Sequence, residues 1–169
     1  LIAILSQKGK TNHKRAGRIF FFSMLSVSAT ALIISAMKHN SFLLHIAIFA
    51  LYMNYSGYRS IKNKSLIPTS LDWVILISAI VNCAFMILSK NLILLVFGGI
   101  CTLTTIRDPK LFFNVTRKKE IPKNTWLLRH IGMMLGTYIS TTTAFLVVNV
   151  NNVDPKWLPW LLPTFIGTP

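Results

Sequence analysis

Five apolar runs, at residues 18–37, 41–58, 71–88, 91–106 and 125–149, constrain this chain more than anything else in it. A helix of ~20 mostly apolar residues, rising ~1.5 Å per residue, crosses a hydrocarbon core of ~30 Å. The runs therefore predict transmembrane helices. Residues 71–106 read as one rod would measure ~54 Å, nearly twice that core, so the polar Ser89, Lys90 and Asn91 are expected to form the turn of a tight helical hairpin. The predicted fold class is all-α, a polytopic transmembrane helix bundle forming a single domain over residues 1–169.

Both termini look cut. The chain opens on "LIAILSQKGK" without an initiator Met, and "WLPWLLPTFIGTP" resumes an apolar segment that stops before it could cross. Five complete spans plus partial spans at both ends are expected. Residues 157–169 either begin a span or form a re-entrant or interfacial segment, because Pro159 and Pro163 are expected to break the helix.

Charge sets the orientation. The chain carries 18 basic and 4 acidic residues, with 53% hydrophobic and 13% charged residues, too oily a composition for a nucleic-acid-binding basic protein. Fourteen of the basic residues fall in alternate connections: Lys8, Lys10, Lys14, Arg15 and Arg18; Arg59, Lys62 and Lys64; Arg107, Lys110, Arg117, Lys118, Lys119 and Lys123. Three, Lys38, Lys90 and Lys156, fall in the others. By the positive-inside rule the basic loops are cytoplasmic, and they are expected to rest on anionic headgroups of the bilayer.

On a helix of 100° per residue, Arg129, Gly132, Gly136, Ser140 and Thr143 form one stripe of the last run, and His130, Met133, Thr137 and Thr141 the adjoining one. Leu128, Ile131, Leu135, Ile139 and Leu146 occupy the opposite face and should meet lipid. Gly132-x-x-x-Gly136, with Ser140 and Thr143, is the expected packing stripe, since small residues let backbones approach. Threonine hydroxyls can bond carbonyls of their own helix. In the second run His45, Phe49, Tyr52, Ser56 and Arg59 share a face. His45 is a buried ionisable group that needs a carbonyl or hydroxyl partner there, or else a proton, metal or haem role. Asp72 is the one plausible intramembrane acid, read as a cap partner for the third helix. Cys83 and Cys101 lie at depths differing by ~10 Å if the spans run as assigned, so no disulfide is expected.

No metal centre is expected, because HExxH, CxxCH and clustered carboxylates are all missing from the sequence. No cofactor is assigned. Among the histidines, His13 and His130 share the basic side and His39 and His45 the other. If haem were bound, His13 and His130 would be the better axial pair. His13, Arg18, Arg129, His130 and Tyr138 are expected to line a polar pocket facing the cytoplasm, with Arg129 reaching out toward phosphate.

"KGKTNHKRAGRIF", with three residues rather than two between Gly9 and His13, resembles the signature K-G-x-x-H-[RK]-x-x-G-R-x-[YF], and "WLLRHIGMMLGTYISTTTAFLVVN" the signature W-x3-H-x3-M-x3-Y-I-x3-T-A-F-x-V, of an uncharacterised bacterial membrane-protein family, domain of unknown function 2306. "LPWLLPTFIGTP" is similar to the entrance of that family's last span. His13, Gly17, Arg18, His130, Met134, Tyr138, Thr143, Ala144 and Phe145 hold its signature positions. The resemblance implies a helical protein of the inner membrane with no assigned activity, and a span before residue 1.

Three functions are consistent with these features. The first is a non-catalytic binding or structural component of a membrane complex, packing on other membrane subunits. The second is a b-type haem or metal redox protein using His13 and His130. The third is a small proton-coupled transporter working through Tyr52, His45 and Tyr138.

Overall fold

The computed structural model describes residues 2–150, 154–155 and 157–167. Among these the chain is helical, with no strand. The order is α1 (Ile2–Leu5), α2 (Thr11–Met37), α3 (Ser41–Lys62), α4 (Ser70–Leu88), α5 (Leu92–Thr105), α6 (Arg107–Thr116), α7 (Thr125–Asn149) and α8 (Leu158–Gly167).

Caps fix several helix starts. Asn40 accepts from the Leu43 amide, Asn91 from those of Ile93 and Leu94, and Thr69 from that of Asp72, each satisfying a donor that a helix N-terminus leaves open. Asp72 completes a capping box by accepting from the Thr69 amide at 2.7 Å.

α3 stands at the centre, packed against α2, α7 and α4. Phe49, Tyr52 and Met53 on α3 join Leu76, Ala79 and Met86 on α4, Phe97 on α5 and Met133 on α7 in one core. Outward faces are apolar too: Ile19, Ile33, Val74, Leu103 and Leu128 are each more than half exposed. A bundle apolar both inside and outside is built for a nonpolar solvent.

Among the described residues three helices are long and apolar enough to cross a membrane, where five complete spans were expected: Thr11–Met37, Ser70–Leu88 and the continuous stretch Leu92–Thr116. α3 and α7, of 22 and 25 residues, have the length. They also carry the polar side chains that find partners inside the bundle.

The expected span at 91–106 runs on instead. Ile106 keeps helical dihedrals between α5 and α6, and the break there follows from Pro109, whose ring nitrogen has no proton to return to the Thr105 carbonyl.

That longer stretch also corrects the cysteine expectation, because Cys101 is not near a helix end. Gly98 sits against Met86 and Ile87, which brings Cys83 and Cys101 level. They form a disulfide with a Cα–Cα distance of 5.9 Å, inside the usual range.

α8 is a second correction. It runs through Pro163 rather than breaking. Pro159 falls in its first turn, where the missing N–H has no intrahelical partner to lose. Gly167 lies against Ile139 of α7, and Trp160 packs edge-on to Phe42 of α3.

The packing stripe of α7 is rotated from the expected one. Gly132 faces open space, and the buried positions are Met133, Thr137 and Thr143. Gly136 does lie in the seam, where the Met53 side chain occupies the place its Cβ would take. The matching notch on α3 is Gly57, filled by Met134 with Sδ 2.8 Å from where a Cβ would stand. Thr137, Ser140, Thr141 and Thr142 return their hydroxyl protons to carbonyls of their own helix.

Candidate functional site at the basic end of the bundle

Two buried carboxylates organise the end of the bundle that carries the basic loops, and both draw their partners from α3. Its residues 52, 55, 56, 59 and 60 follow helical spacing, so about two turns of α3 present Tyr52, Ser56 and Ser60 to one side and Tyr55 and Arg59 to the other.

The first cluster gathers on Asp72, whose side chain is 6% exposed. Arg59 Nε donates to Asp72 Oδ1 at 3.1 Å and its Nη2 to Oδ2 at 3.3 Å. Tyr55 donates to Oδ1 at 2.9 Å, and the Thr69 hydroxyl to Oδ2 at 2.7 Å. Asp72 thus caps its helix, as expected, and also ties α4 to α3.

The second cluster was not anticipated. Asp108, on the first turn of α6, is ion-paired with Arg129 of α7. Arg129 Nε donates to Asp108 Oδ1 at 3.1 Å and Nη2 to Oδ2. Arg129 Nη1 donates to the Ser56 carbonyl at 2.9 Å and to Ser60 Oγ at 2.8 Å. The Tyr52 hydroxyl donates to Asp108 Oδ2 at 2.9 Å, and the Phe112 ring lies 5.8 Å from the guanidinium carbon. The planar fork of Arg129 therefore meets a bidentate acceptor on one edge and two α3 oxygens on the other.

This arrangement corrects two expectations. Arg129 does not reach outward toward phosphate; its side chain is 9% exposed and spent on Asp108. Asp72 is not the sole buried acid. A sequence signal for Asp108 existed: it is one of four acidic residues, and Leu111 and Phe112 resume an apolar face three and four positions later.

The remaining pocket candidates divide. His130 Nδ1 donates to the Gly57 carbonyl at 2.9 Å, and His13 Nδ1 to the Ala3 carbonyl at 2.8 Å. Because a carbonyl can only accept, each ring carries its proton on Nδ1, leaving a lone pair on Nε2 when neutral. His13 stands on α2 and His130 on α7, each tied to a backbone carbonyl. Arg18 is exposed, and Tyr138 packs against Phe20 at 6.5 Å between ring centres.

At the opposite end His45 Nδ1 donates to Asn82 Oδ1 at 2.7 Å, while Asn82 Nδ2 donates to the His45 carbonyl at 3.0 Å. This reciprocal pair locks α3 to α4. His39 is exposed in the turn between α2 and α3.

Among the described residues no group of three or more His, Cys, Asp or Glu side chains is placed to hold a metal ion. No family model, curated protein or solved structure matches this chain. The resemblance to domain of unknown function 2306 rests on the quoted motifs alone.

Proposed function

We propose that this chain is a multi-span protein of the cell inner membrane, crossing it with α2, α3, α4, the α5–α6 stretch and α7, its basic loops in the cytoplasm. Its role is a non-catalytic binding or structural component of a membrane complex. The observation that supports this best is the state of the two buried carboxylates. Each is saturated by partners on neighbouring helices, which is how a bundle fixes helix positions rather than how it holds a reactive acid poised. The charge skew supports the orientation. Family membership is part of the proposal and stands on the two signatures.

Cysteine labelling in intact cells tests the topology. Single cysteines at residues 62 and 118 should react only after the membrane is permeabilised, and one at residue 39 should react from outside. Labelling of residue 118 from outside would overturn the orientation. Copurification of a stoichiometric membrane partner is the expected outcome for the role, and a chain that stays alone in mild detergent contradicts it.

One observation favours a second reading, a b-type haem or metal redox protein using His13 and His130. Both rings have Nδ1 tied to a backbone carbonyl, the arrangement that fixes the tautomer of a ligating imidazole. A Soret band in the purified protein, lost in His130→Ala, is the outcome that reading requires.

A further inference from the structure

The seam between α2 and α7 is bridged by side chains. Among the described residues the two backbones hardly approach one another, although both helices pack along α3. Thr141 Oγ1 meets Met24 Sδ at 3.1 Å, and the Tyr138 ring stands 6.5 Å from that of Phe20. α2 and α7 both start at the basic end, so these contacts fix a parallel register in which residues 117 positions apart stand level. His13 and His130 are such a pair. Each lies roughly three turns before Met24 or Thr141 and within ~20° of the same helix face, which places both at the basic end of this seam.

Each imidazole is already oriented. His130 Nδ1 donates to the Gly57 carbonyl and His13 Nδ1 to the Ala3 carbonyl, and among the described residues neither Nε2 has a hydrogen-bond partner. Met134 follows His130 by one turn and shares its face. Its Sδ fills the Gly57 notch, 2.8 Å from where a Cβ would stand, so one residue of α3 positions both the ring and the thioether. On the α2 side Gly17, one turn after His13, has no atom within 4 Å of the place a Cβ would take. The seam is therefore open at this level, and His13, Gly17, His130 and Met134 are all half-buried.

The donor set selects its ligand. Two imidazole nitrogens with Nδ1 tied to carbonyls are the arrangement of metal-bound histidine, and a thioether favours a soft ion. Magnesium and calcium require oxygen ligands. The two acids of this end, Asp72 and Asp108, are spent on arginines, so the set is neutral. A neutral set amid so many lysines and arginines suits a monovalent ion better than a divalent one, whose charge nothing there would offset.

We infer that His13, His130 and Met134 bind one Cu(I) ion between α2 and α7. The inference rests on the reading of His13 and His130 as a ligand pair and names the ion and the third ligand.

The test is anaerobic titration of the full chain, purified in detergent and stripped of metal, with the coloured Cu(I) complex of bicinchoninate. Wild type should withdraw one Cu(I) per chain. His13→Ala and His130→Ala should each weaken binding by more than the ~10–100-fold that loss of an outer-sphere partner costs. His39→Ala, in the turn at the other end, should leave it unchanged. Copper X-ray absorption of the wild-type protein should show sulfur beside nitrogen, and Met134→Leu, which keeps the notch filled, should remove the sulfur. Cu(I) held equally well by both histidine variants would overturn the site, and so would a wild-type spectrum without sulfur, a result that needs no variant to fold. A Soret band lost in His130→Ala, with no Cu(I) taken up, would remove the copper site and keep the histidines as haem ligands. A chain that takes up neither loses the copper site and the ligand pair together.

Discussion

Asp72 and Asp108 are both carboxylates at the basic end, both fully hydrogen-bonded, yet they are held in different ways. Asp72 is assembled locally: Thr69 lies three residues back and Arg59 is thirteen away, with its side chain 27% exposed. Asp108 is assembled across the fold, from Arg129 twenty-one residues on and from Tyr52 of α3, while Ser56 and Ser60 hold the guanidinium, with side chains 4% and 9% exposed for the pair. The difference shows where each stabilisation comes from. Both acids are buried, but solvent reaches Arg59 and can compensate that cation for a lost partner, while Arg129 is shut in with Asp108.

The largest effect should therefore come from the buried pair. Asp108→Ala leaves the Arg129 charge without an acceptor, and should destabilise the protein in detergent by ~3–5 kcal/mol, read as the loss of its cooperative thermal transition or a large fall in its midpoint. Arg129→Met should do comparable damage from the other side. A midpoint unchanged in either variant would mean the pair is ornamental.

Next in size are the glycine notches of the seam that carries Arg129 to Asp108. Gly57→Leu and Gly136→Leu push into Met134 and Met53, and each should cost ~1–3 kcal/mol by overpacking. Gly132→Leu enters open space and should stay within ~0.5 kcal/mol. The same thermal assay on all three tests whether the seam is rotated as described; equal effects at 132 and 136 would show it is not.

Asp72→Ala should be milder, at ~1–2 kcal/mol, because it removes a helix cap and a half-open ion pair together. If it proves as damaging as Asp108→Ala, exposure is not what separates the clusters. Smallest of all, Tyr55→Phe removes one donor to Asp72 and should cost ~0.5–1.5 kcal/mol. Tyr52→Phe, its counterpart at the buried acid, should exceed it. Measured side by side, the two tyrosines sharpen the comparison with a single atom changed in each.

The contrast also explains what the sequence could convey. Thr69 and Asp72 are three apart, and a cap at the head of an apolar run is a local pattern, so that role was legible. The apolar runs likewise placed α4 and α7 closely, and the end of α2, whose start at Thr11 lies well before its run. Asp108 was not legible in the same way, because its role depends on α6 continuing α5 through Ile106 and on α7 returning beside α3, which are facts of packing. Arg129 was visible as an anomaly in an apolar run, but the direction of its side chain follows from where an acid lies in space. The cysteine pair failed for the same cause. Depth was counted from a helix end that the folded chain does not have, and the seam register set by Gly98 decides it instead.

The central claim is that Asp108 and Arg129 stabilise the bundle as a pair, across α6 and α7. A double-mutant cycle tests it most directly, with Asp108→Asn, Arg129→Gln and both together compared by equilibrium unfolding in one detergent. The account predicts that each single variant is strongly destabilised and that the double variant recovers much of the loss, a coupling well above the ~0.5 kcal/mol scatter of independent sites. Additive losses within that scatter would contradict it.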